Sequence, residues 1–380
     1  MPAGAPHVHP QGIASRLRQK HLGTWMPAYL RQLCRPRWPT TTPARRHLLF
    51  AFCDHFEPLW GGASSDTGYA RVKTWEEQYP AMAAEFRDAD GRAPRHSFFF
   101  PGEQYEPRFL ESLGRLVRAG LGEVELHLHH DQDTAENLRR DLAQYVAAYA
   151  SHGHLTRDPA GRPRFAFIHG NWCLANARKD GRWCGVNAEL PLLFDSGCYA
   201  DFTFPSAPDE CQPSIINRIY WPEGDLEKAR AYERGTIAEV GQERSDRMLM
   251  IQGPLSIARR PGRLGPRIEN GAVTASDPAT LSRVRSWTAQ GVHVRGRPEW
   301  VFVKVHTHGA PETQAASLLG SGGRQLHHAL AAHFNDGKRW TLHYMSAREM
   351  YNAARAAMAG HSGNPFAYRN FVLPPPPAQA

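Results

Sequence analysis

The stretch Glu123-Val-Glu-Leu-His-Leu-His-His-Asp131 combines the alternation of a β-strand with a cluster of histidines. Successive side chains of an extended strand point to opposite faces, so Glu125, His127 and His129 share one face and the apolar residues between them share the other. A buried face that carries carboxylate and imidazole groups needs a partner, and a divalent cation binds both groups well. The candidate metal ligands at this strand end are His127, His129, His130 and Asp131.

Outward from this strand, short apolar runs that predict strands alternate with segments of helical spacing. The predicted strands are 47–52, 95–100, 123–129, 164–168, 202–204, 215–220, 248–251, 300–305 and 340–344. The predicted helices are 71–87, 106–119, 134–150, 278–289, 311–319, 324–334 and 347–358. This alternation is typical of a parallel sheet, open or closed, with helices packed on it. A length of 380 residues suits one α/β barrel with insertions and a short appendage.

The positive charge is concentrated at the N-terminus. Residues 1–46 contain no acidic residue, and their basic residues account for the whole formal net charge of +8. These basic residues are Arg16, Arg18, Lys20, Arg31, Arg35, Arg37, Arg45 and Arg46. A basic, partly apolar segment of this kind can contact an anionic membrane surface. The alternative is that it packs Trp25, Tyr29 and Leu33 on the rest of the protein, and we expect no nucleic-acid partner.

Several classes of protein are disfavoured by the composition. No apolar stretch is long enough to span a bilayer, and residues 1–10 lack the apolar core of a secretory signal. We therefore expect a cytoplasmic protein, with a membrane-peripheral location as the alternative. The six cysteines form no Cys-x-x-Cys pair, which argues against a zinc ribbon or a redox motif, and we expect reduced thiols.

Other polar clusters also follow predicted strands directly. They are Asp54-His55 with Glu57 close behind, His169-Gly-Asn171, and His306-Thr-His308. The carboxyl ends of parallel strands carry the active site in α/β barrels, because the loops converge there. A single histidine has little weight in a chain with 20 of them. His169 fits a structural hydrogen bond as well as a functional site, and His327 and His328, on a predicted helix, are expected at the surface.

In the order of these strand ends, residues 46–351 resemble the polysaccharide deacetylases, carbohydrate esterase family 4. Known members are distorted (β/α) barrels that remove acetyl groups from sugar polymers, with a metal held by Asp-His-His, an aspartate as base and a late histidine as acid. The resemblance implies a distorted (β/α) barrel of about seven parallel strands over residues 47–360. A basic N-terminal extension, 1–46, precedes this domain, and a Pro-rich tail, 361–380, follows it.

The first family motif is matched by Phe52-Cys-Asp-His55. Here the resemblance implies that Asp54 binds the metal. Cys53 falls where the family has its catalytic aspartate, so Glu57 is the carboxylate that could substitute as the base.

The second family motif pairs two histidines four residues apart after the third strand. His127 matches the first of them, and Asp131 falls at the place of the second. His129 and His130 are the neighbouring substitutes, so the ligand pair stays open among these residues.

Later segments continue the resemblance. Phe167-Ile-His-Gly-Asn-Trp172 resembles the loop that orients the family's site, and residues 194–201 resemble a segment that ends in an aspartate. Val303-Lys-Val-His-Thr-His-Gly309 resembles the last motif. It implies that His306 or His308 is the general acid.

The resemblance thus implies a metal-dependent hydrolase that deacetylates an amino-sugar polysaccharide or its lipid-linked precursor, as in exopolysaccharide biosynthesis. Carbohydrate is the expected partner, and a divalent metal, Zn²⁺ by preference, is the expected cofactor. The candidate catalytic residues are His306, His308, Glu57 and Asp201. The candidate metal ligands are Asp54, His127, His129, His130 and Asp131. The candidate substrate-binding residues are His169, Asn171, Trp172 and Trp60, since aromatic rings can stack on sugars.

Two other functions remain open from the sequence. A barrel glycoside hydrolase or transferase could use paired carboxylates among Asp54, Glu57 and Asp201. A non-catalytic glycan-binding relative is favoured by Cys53 at the position of the base. The hydrolase hypothesis requires Asp54 to converge in space with the histidines of residues 127–131.

Overall fold

The computed structural model describes residues 20–34, 45–259 and 265–379. Its strands are β1 (Arg46–His55), β2 (His96–Pro101), β3 (Gly122–Leu128), β4 (Thr156–Arg157), β5 (Pro163–His169), β6 (Cys198–Asp201), β7 (Ile219–Pro222), β8 (Gly235–Ile237), β9 (Leu249–Ile251), β10 (Ser256–Arg259), β11 (Pro266–Glu269), β12 (Trp300–Thr307) and β13 (Trp340–Met345). Its α-helices are α1 (Leu22–Leu33), α2 (Ser65–Ala84), α3 (Pro107–Arg118), α4 (Ala135–Ser151), α5 (Glu189–Asp195), α6 (Leu281–Ala289), α7 (Glu312–Leu319), α8 (Ser321–Phe334) and α9 (Ala347–Met358).

The fold is mixed α/β around one large, mostly parallel sheet. Neighbouring strands are parallel through the order β12-β1-β2-β3-β5-β6-β9, and β7 and β8 extend it antiparallel. Strand β13 also pairs in parallel with β1. Among the described residues, no strand pairing joins β9 to β12, so the sheet is not closed by hydrogen bonds. The predicted parallel sheet is confirmed at this level.

The alternation predicted for β3 is confirmed. Val124, Leu126 and Leu128 belong to the core that includes residues of α2, α3 and α4. Glu125 and His127 take the opposite face, where Glu125 accepts a hydrogen bond from the Ala166 backbone N–H at 2.6 Å. Burying one leucine or phenylalanine side chain in such a core stabilises the fold by about 1.5–3 kcal/mol, so the apolar face fixes which way the polar face points.

Helix α9 packs against the other face of the sheet. It contacts both β1 and β5, which lie on either side of β2 and β3, so the sheet curves around the helix. Every residue of α9 except Arg355 is buried, and its alanines allow the strands to approach closely. Ser346 and Glu349 form a capping box at its first turn, which satisfies the exposed backbone N–H groups there.

A buried ion network ties α9 to β3. The Arg348 guanidinium donates to both Glu123 oxygens, at 2.8 and 3.0 Å, and Arg95 adds a bond of 3.0 Å to the same carboxylate. Arg348 also donates to the backbone carbonyl of Leu373, at 2.8 Å. The segment predicted as a Pro-rich tail therefore packs onto α9.

Several local features differ from the predictions. The strand predicted at 202–204 lies at Cys198–Asp201 instead, and the hairpin of β10 and β11 was not predicted. His327 is buried rather than at the surface, because its ring packs on Phe86 and its Nδ1 lies 3.1 Å from the Tyr344 hydroxyl.

Helix α1 packs on the body of the protein through its aromatic side. Trp25 and Tyr29 are buried with Ala207 and Leu255, whereas Leu33 is 43% exposed, so the predicted packing holds for the two aromatic residues and not for Leu33. The predicted membrane contact of residues 1–46 falls mainly on residues 1–19 and 35–44, which lie outside the described residues. No helix in the described part of the chain is both long and apolar enough to cross a membrane.

Candidate metal centre

Three metal-binding side chains meet at the carboxyl ends of β1 and β3. His55 ends β1, Glu57 follows it, and His127 lies next to the end of β3, one strand away across β2. One donor atom from each lies within 4.8 Å of the others, and all three residues are buried. We call His55, Glu57 and His127 the first donor group. Two imidazoles and one carboxylate form a ligand set that Zn²⁺ and Fe²⁺ both use in proteins.

Glu57 is the centre of this arrangement. Its Oε1 lies 3.1 Å from His127 Nε2 and 2.9 Å from His129 Nε2, and its Oε2 lies 2.9 Å from His308 Nδ1. Burial alone would raise the pKa of the Glu57 carboxyl, but the hydrogen bonds with these three histidines outweigh it and hold the pKa well below its usual range. Glu57 is therefore an ionised carboxylate in a buried position.

The histidines are held in fixed orientations. His127 Nδ1 lies 2.7 Å from the Ile168 carbonyl, to which it donates, and this leaves Nε2 as the atom that faces Glu57. An imidazole whose outer nitrogen donates to a carbonyl is the usual arrangement of a metal-binding histidine. His129 Nδ1 lies 2.6 Å from Glu103. Burial lowers the pKa of His129, but Glu103 and Glu57 raise it to about 9, so His129 is a cation beside the group.

His55 has a buried ring nitrogen, Nε2, with no hydrogen-bond partner among the described residues. Its ring lies 4.9 Å from that of His127 and 4.8 Å from those of His308 and Trp172. Buried polar atoms are nearly always paired, so an unpaired one next to other donors indicates a missing ligand. Burial and the neighbouring histidines lower the pKa of His55, which favours the neutral ring that binds metals.

Asp54 does not join the first donor group, and this corrects the expectation that it binds the metal. Successive residues of β1 face opposite ways, so Asp54 points to the helix layer while His55 points inward. Its Oδ1 accepts from the Gly309 N–H at 2.6 Å, and its Oδ2 lies 2.8 Å from His96 Nε2. Both oxygens thus have protein partners, and Asp54 does not converge with the histidines of residues 127–131 as the hydrolase hypothesis required. Glu57 is the carboxylate that lies beside His127 and His129.

Of the other predicted ligands, Asp131 also lies elsewhere. It is exposed, and its carboxylate accepts from the Arg182 guanidinium and the Trp183 N–H, because the turn after β3 directs it outward. His130 turns towards His169, with 3.0 Å between their Nε2 atoms, and belongs to a second cluster formed by His130, His169, Cys184 and Glu189.

The two predicted catalytic histidines, His306 and His308, lie beside the first donor group. His308 is part-buried, donates from Nδ1 to Glu57 and contacts the ring of Trp60 at 4.9 Å. His306 is buried, and its Nδ1 has no hydrogen-bond partner in the described part of the chain. Asp201 is not part of the group; its oxygens accept from the Thr203 backbone and hydroxyl at 3.0 and 2.7 Å. Burial raises the pKa of Asp201 to about 7.

The predicted substrate-binding residues divide between two places. Trp172 contacts both His55 and His306, at 4.8 and 5.1 Å between ring centres, and Trp60 is 49% exposed beside His308. Asn171 is exposed next to Trp172, whereas His169 is buried in the second cluster. Beyond Trp172 lies a cleft of roughly 590 Å³. Its polar and aromatic lining includes His21, Trp172, Arg178, Ser206, Asp209 and Asn270.

The placement of Asp54 gives a direct prediction. We expect the Asp54→Asn protein to keep the metal content of the wild type, because neither oxygen of Asp54 faces the donor group. Its free energy of unfolding should fall by about 1–3 kcal/mol, since a buried hydrogen bond to His96 is disturbed. Metal analysis and denaturant unfolding of the two proteins check this. A loss of one metal equivalent would show that Asp54 is a ligand after all.

Sequence reasoning missed two residues of the second cluster, Cys184 and Glu189. His55 was noted but was not named as a ligand. The alternation within β1 indicates His55 as a candidate ligand, because the inward face that contains Cys53 also contains His55.

No family model matches this sequence, and comparison with curated proteins gives no match either.

Proposed function

We propose that this protein is a metal-dependent hydrolase that acts on a carbohydrate, within a distorted (β/α) barrel of about seven parallel strands. The observation that carries the proposal is the first donor group, which brings His55, Glu57 and His127 within 4.8 Å of one another at the carboxyl ends of parallel strands. Three protein ligands, rather than four, are typical of a catalytic metal site.

His55, Glu57 and His127 would hold the ion. Bound there, a divalent metal supplies a Lewis acid for a substrate carbonyl and lowers the pKa of a water molecule at its open position. We propose Zn²⁺, for which two histidines and a glutamate are a known ligand set. Fe²⁺ takes the same residue types, and metal analysis of the purified protein distinguishes the two.

His308 is the proposed proton-transfer residue. Its Nδ1 donates to Glu57 at 2.9 Å, which orients the ring, and its side chain is 34% exposed. Its Nε2 is therefore the nitrogen through which it can pass a proton to a leaving group. His129 has both nitrogens engaged, by Glu57 and Glu103, so it holds Glu57 in place rather than moving a proton.

Cys53 does not replace the missing base. Burial raises the pKa of its thiol to about 12, so the thiol stays protonated at neutral pH. With Glu57 assigned to the metal, we assign no carboxylate as base. His308 can serve both for removing a proton from water and for returning it to the leaving amine.

The carbohydrate part of the proposal rests on the motif resemblance and on the cleft. Trp172 and Trp60 flank the donor group, and flat aromatic rings of this kind suit stacking on sugars. The polar lining beyond Trp172 offers hydrogen bonds to hydroxyl groups. We propose the acetyl group of an amino-sugar polymer, or of its lipid-linked precursor, as the bond that is hydrolysed.

The paired-carboxylate alternative is less well supported. Glycosidic chemistry needs two carboxyl groups that face one cleft. Asp54 and Asp201 each accept hydrogen bonds from protein neighbours, and Glu57 is enclosed by histidines. We therefore favour metal-dependent hydrolysis.

Chelation tests the proposal. Zn²⁺-loaded protein should release acetate from N-acetylated amino-sugar oligomers, and removal of the metal should slow this by at least about 100-fold, more than the loss of an outer-shell partner. Restoring Zn²⁺ should restore the rate. Acetate and new reducing ends are measured on the same samples.

Each result separates the candidate functions. New reducing ends without acetate would instead show a glycoside hydrolase. Glycan binding without any product would show the non-catalytic relative.

A further inference from the structure

A second cluster of metal-binding side chains lies behind Trp172. His130, His169, Cys184 and Glu189, which we call the second donor group, offer four donor atoms that all lie within 4.8 Å of one another. They are an imidazole pair, a thiol and a carboxylate. None of them belongs to the first donor group.

The spacing of these atoms is close to that of a coordination shell. His130 Nε2 lies 3.0 Å from His169 Nε2 and 3.1 Å from Glu189 Oε1, and His169 Nε2 lies 3.4 Å from the same oxygen. Cys184 Sγ lies 3.5 Å from Glu189 Oε2. Ligands bonded to Zn²⁺ at about 2.0–2.3 Å in a tetrahedron stand roughly 3.3–3.7 Å apart.

The outer nitrogens of both histidines are already engaged. His130 Nδ1 lies 3.1 Å from Asp133 Oδ2, and His169 Nδ1 donates to the Gly170 carbonyl. Outer partners of this kind, a carboxylate or a backbone carbonyl, orient histidines that bind metals. Both Nε2 atoms are left facing inward, towards Cys184 and Glu189.

We propose that His130, His169, Cys184 and Glu189 bind a structural Zn²⁺ ion. One thiolate and one carboxylate balance the charge of the ion, so the site can be buried without an unpaired charge. His169 and Glu189 are fully buried, and four protein ligands complete a tetrahedral shell, as in closed structural sites. The first donor group differs because it offers three protein ligands rather than four.

The ion would hold the segment 170–188 between β5 and α5. This segment contains no α-helix or strand, and a set of its non-glycine residues has positive φ. These residues are Asn171, Trp172, Ala175, Asn176 and Trp183. Side chains other than glycine rarely adopt this conformation, so tertiary contacts must hold it. His169, Cys184 and Glu189 would anchor both ends of the segment to one ion.

Trp172 lies in that segment and contacts His55 and His306. A structural ion at the second donor group would therefore position one wall of the first. The inference does not depend on the proposed hydrolase activity, because it concerns how the segment is held.

Cobalt substitution of the full chain tests the site. We expect the wild type to bind two equivalents of Co²⁺ and to show a thiolate-to-cobalt charge-transfer band in the near ultraviolet. Cys184→Ser should lose that band and one equivalent of metal. His127→Ala should lose one equivalent and keep the band. Cys198→Ser, which changes a buried cysteine outside both groups, should keep both.

A wild type that binds one equivalent or none, and shows no thiolate band, overturns the proposal even where a variant fails to fold. Loss of the band in Cys198→Ser but not in Cys184→Ser overturns it as well. The proposed hydrolase activity fails separately. It fails if the wild type forms no product, or if His127→Ala binds as much metal as the wild type.

Proteolysis gives a second reading of the same site. Lys179 and Arg182 are exposed in the segment and are trypsin sites. Chelation should speed cleavage there by about tenfold or more, because the ion binds only when the segment is folded with its ligands together. The His127→Ala protein should still be protected by Zn²⁺. Equal cleavage with and without metal would contradict the proposal.

Discussion

The His127→Ala protein is expected to purify with one metal equivalent fewer than the wild type and to lose at least about 100-fold of the hydrolytic rate. His127 is fully buried, its Nδ1 is fixed by the Ile168 carbonyl, and its Nε2 faces Glu57 at 3.1 Å. Loss of an outer-shell partner already lowers metal affinity or activity by about 10–100-fold, and a direct ligand contributes more. Metal analysis and acetate release on the same preparation measure both effects.

The matched control is His327→Ala. His327 is also a buried histidine, but it lies on α8 and belongs to neither donor group. It should lose stability and keep its metal. If His127→Ala keeps both its metal and its rate, the first donor group is not the active centre.

The Arg348→Met protein is expected to lose about 3–5 kcal/mol of its free energy of unfolding. Arg348 donates to both oxygens of Glu123, and each side chain is 1% exposed. Removing the guanidinium leaves a buried carboxylate with Arg95 as its remaining strong partner, and it leaves the Leu373 carbonyl with the Asn352 side-chain amide as its donor. Denaturant unfolding, followed by circular dichroism, measures the change.

An exposed ion pair provides the comparison. Arg324 pairs with Glu85, and both side chains are more than a third exposed. Arg324→Met should therefore change the free energy of unfolding by less than about 1 kcal/mol. Equal effects of the two substitutions would mean that burial adds nothing to the Arg348 network. The double variant Arg348→Met with Glu123→Gln should recover part of the loss.

The sequence was most informative where one face of a strand is apolar. In β3 the alternation of Val124, Leu126 and Leu128 with Glu125 and His127 predicted which side chains point away from the layer of α2, α3 and α4, and the structure confirms it. A slip of one residue would reverse both faces, so this pattern is strongly constrained.

In β1 the same rule argues against the ligand that the family motif implied. The family motif suggested Asp54, whereas the period of two puts His55 on the inward face and Asp54 on the helix side. Glu57 was expected as a base or as one of a carboxylate pair, and not as a metal ligand. Its place among three histidines depends on the turn after β1, which no local pattern predicts.

The second donor group could not be predicted from spacing. His130 and Glu189 are far apart in the sequence, and Cys184 has no neighbouring cysteine to signal a site. They meet because β3 and β5 are adjacent in the sheet and the segment after β5 folds back. The helix 347–358 was predicted with its observed bounds, but its burial on nearly every side was not, since an alanine-rich sequence shows no single apolar stripe.

The place of α9 after the strands that it covers has a consequence for synthesis. Strands β1, β2 and β3 leave the ribosome before the helix that packs on their inward faces. Until α9 emerges, those faces and the Glu123 carboxylate lack this cover. We therefore expect the nascent chain to be most prone to aggregation before α9 docks.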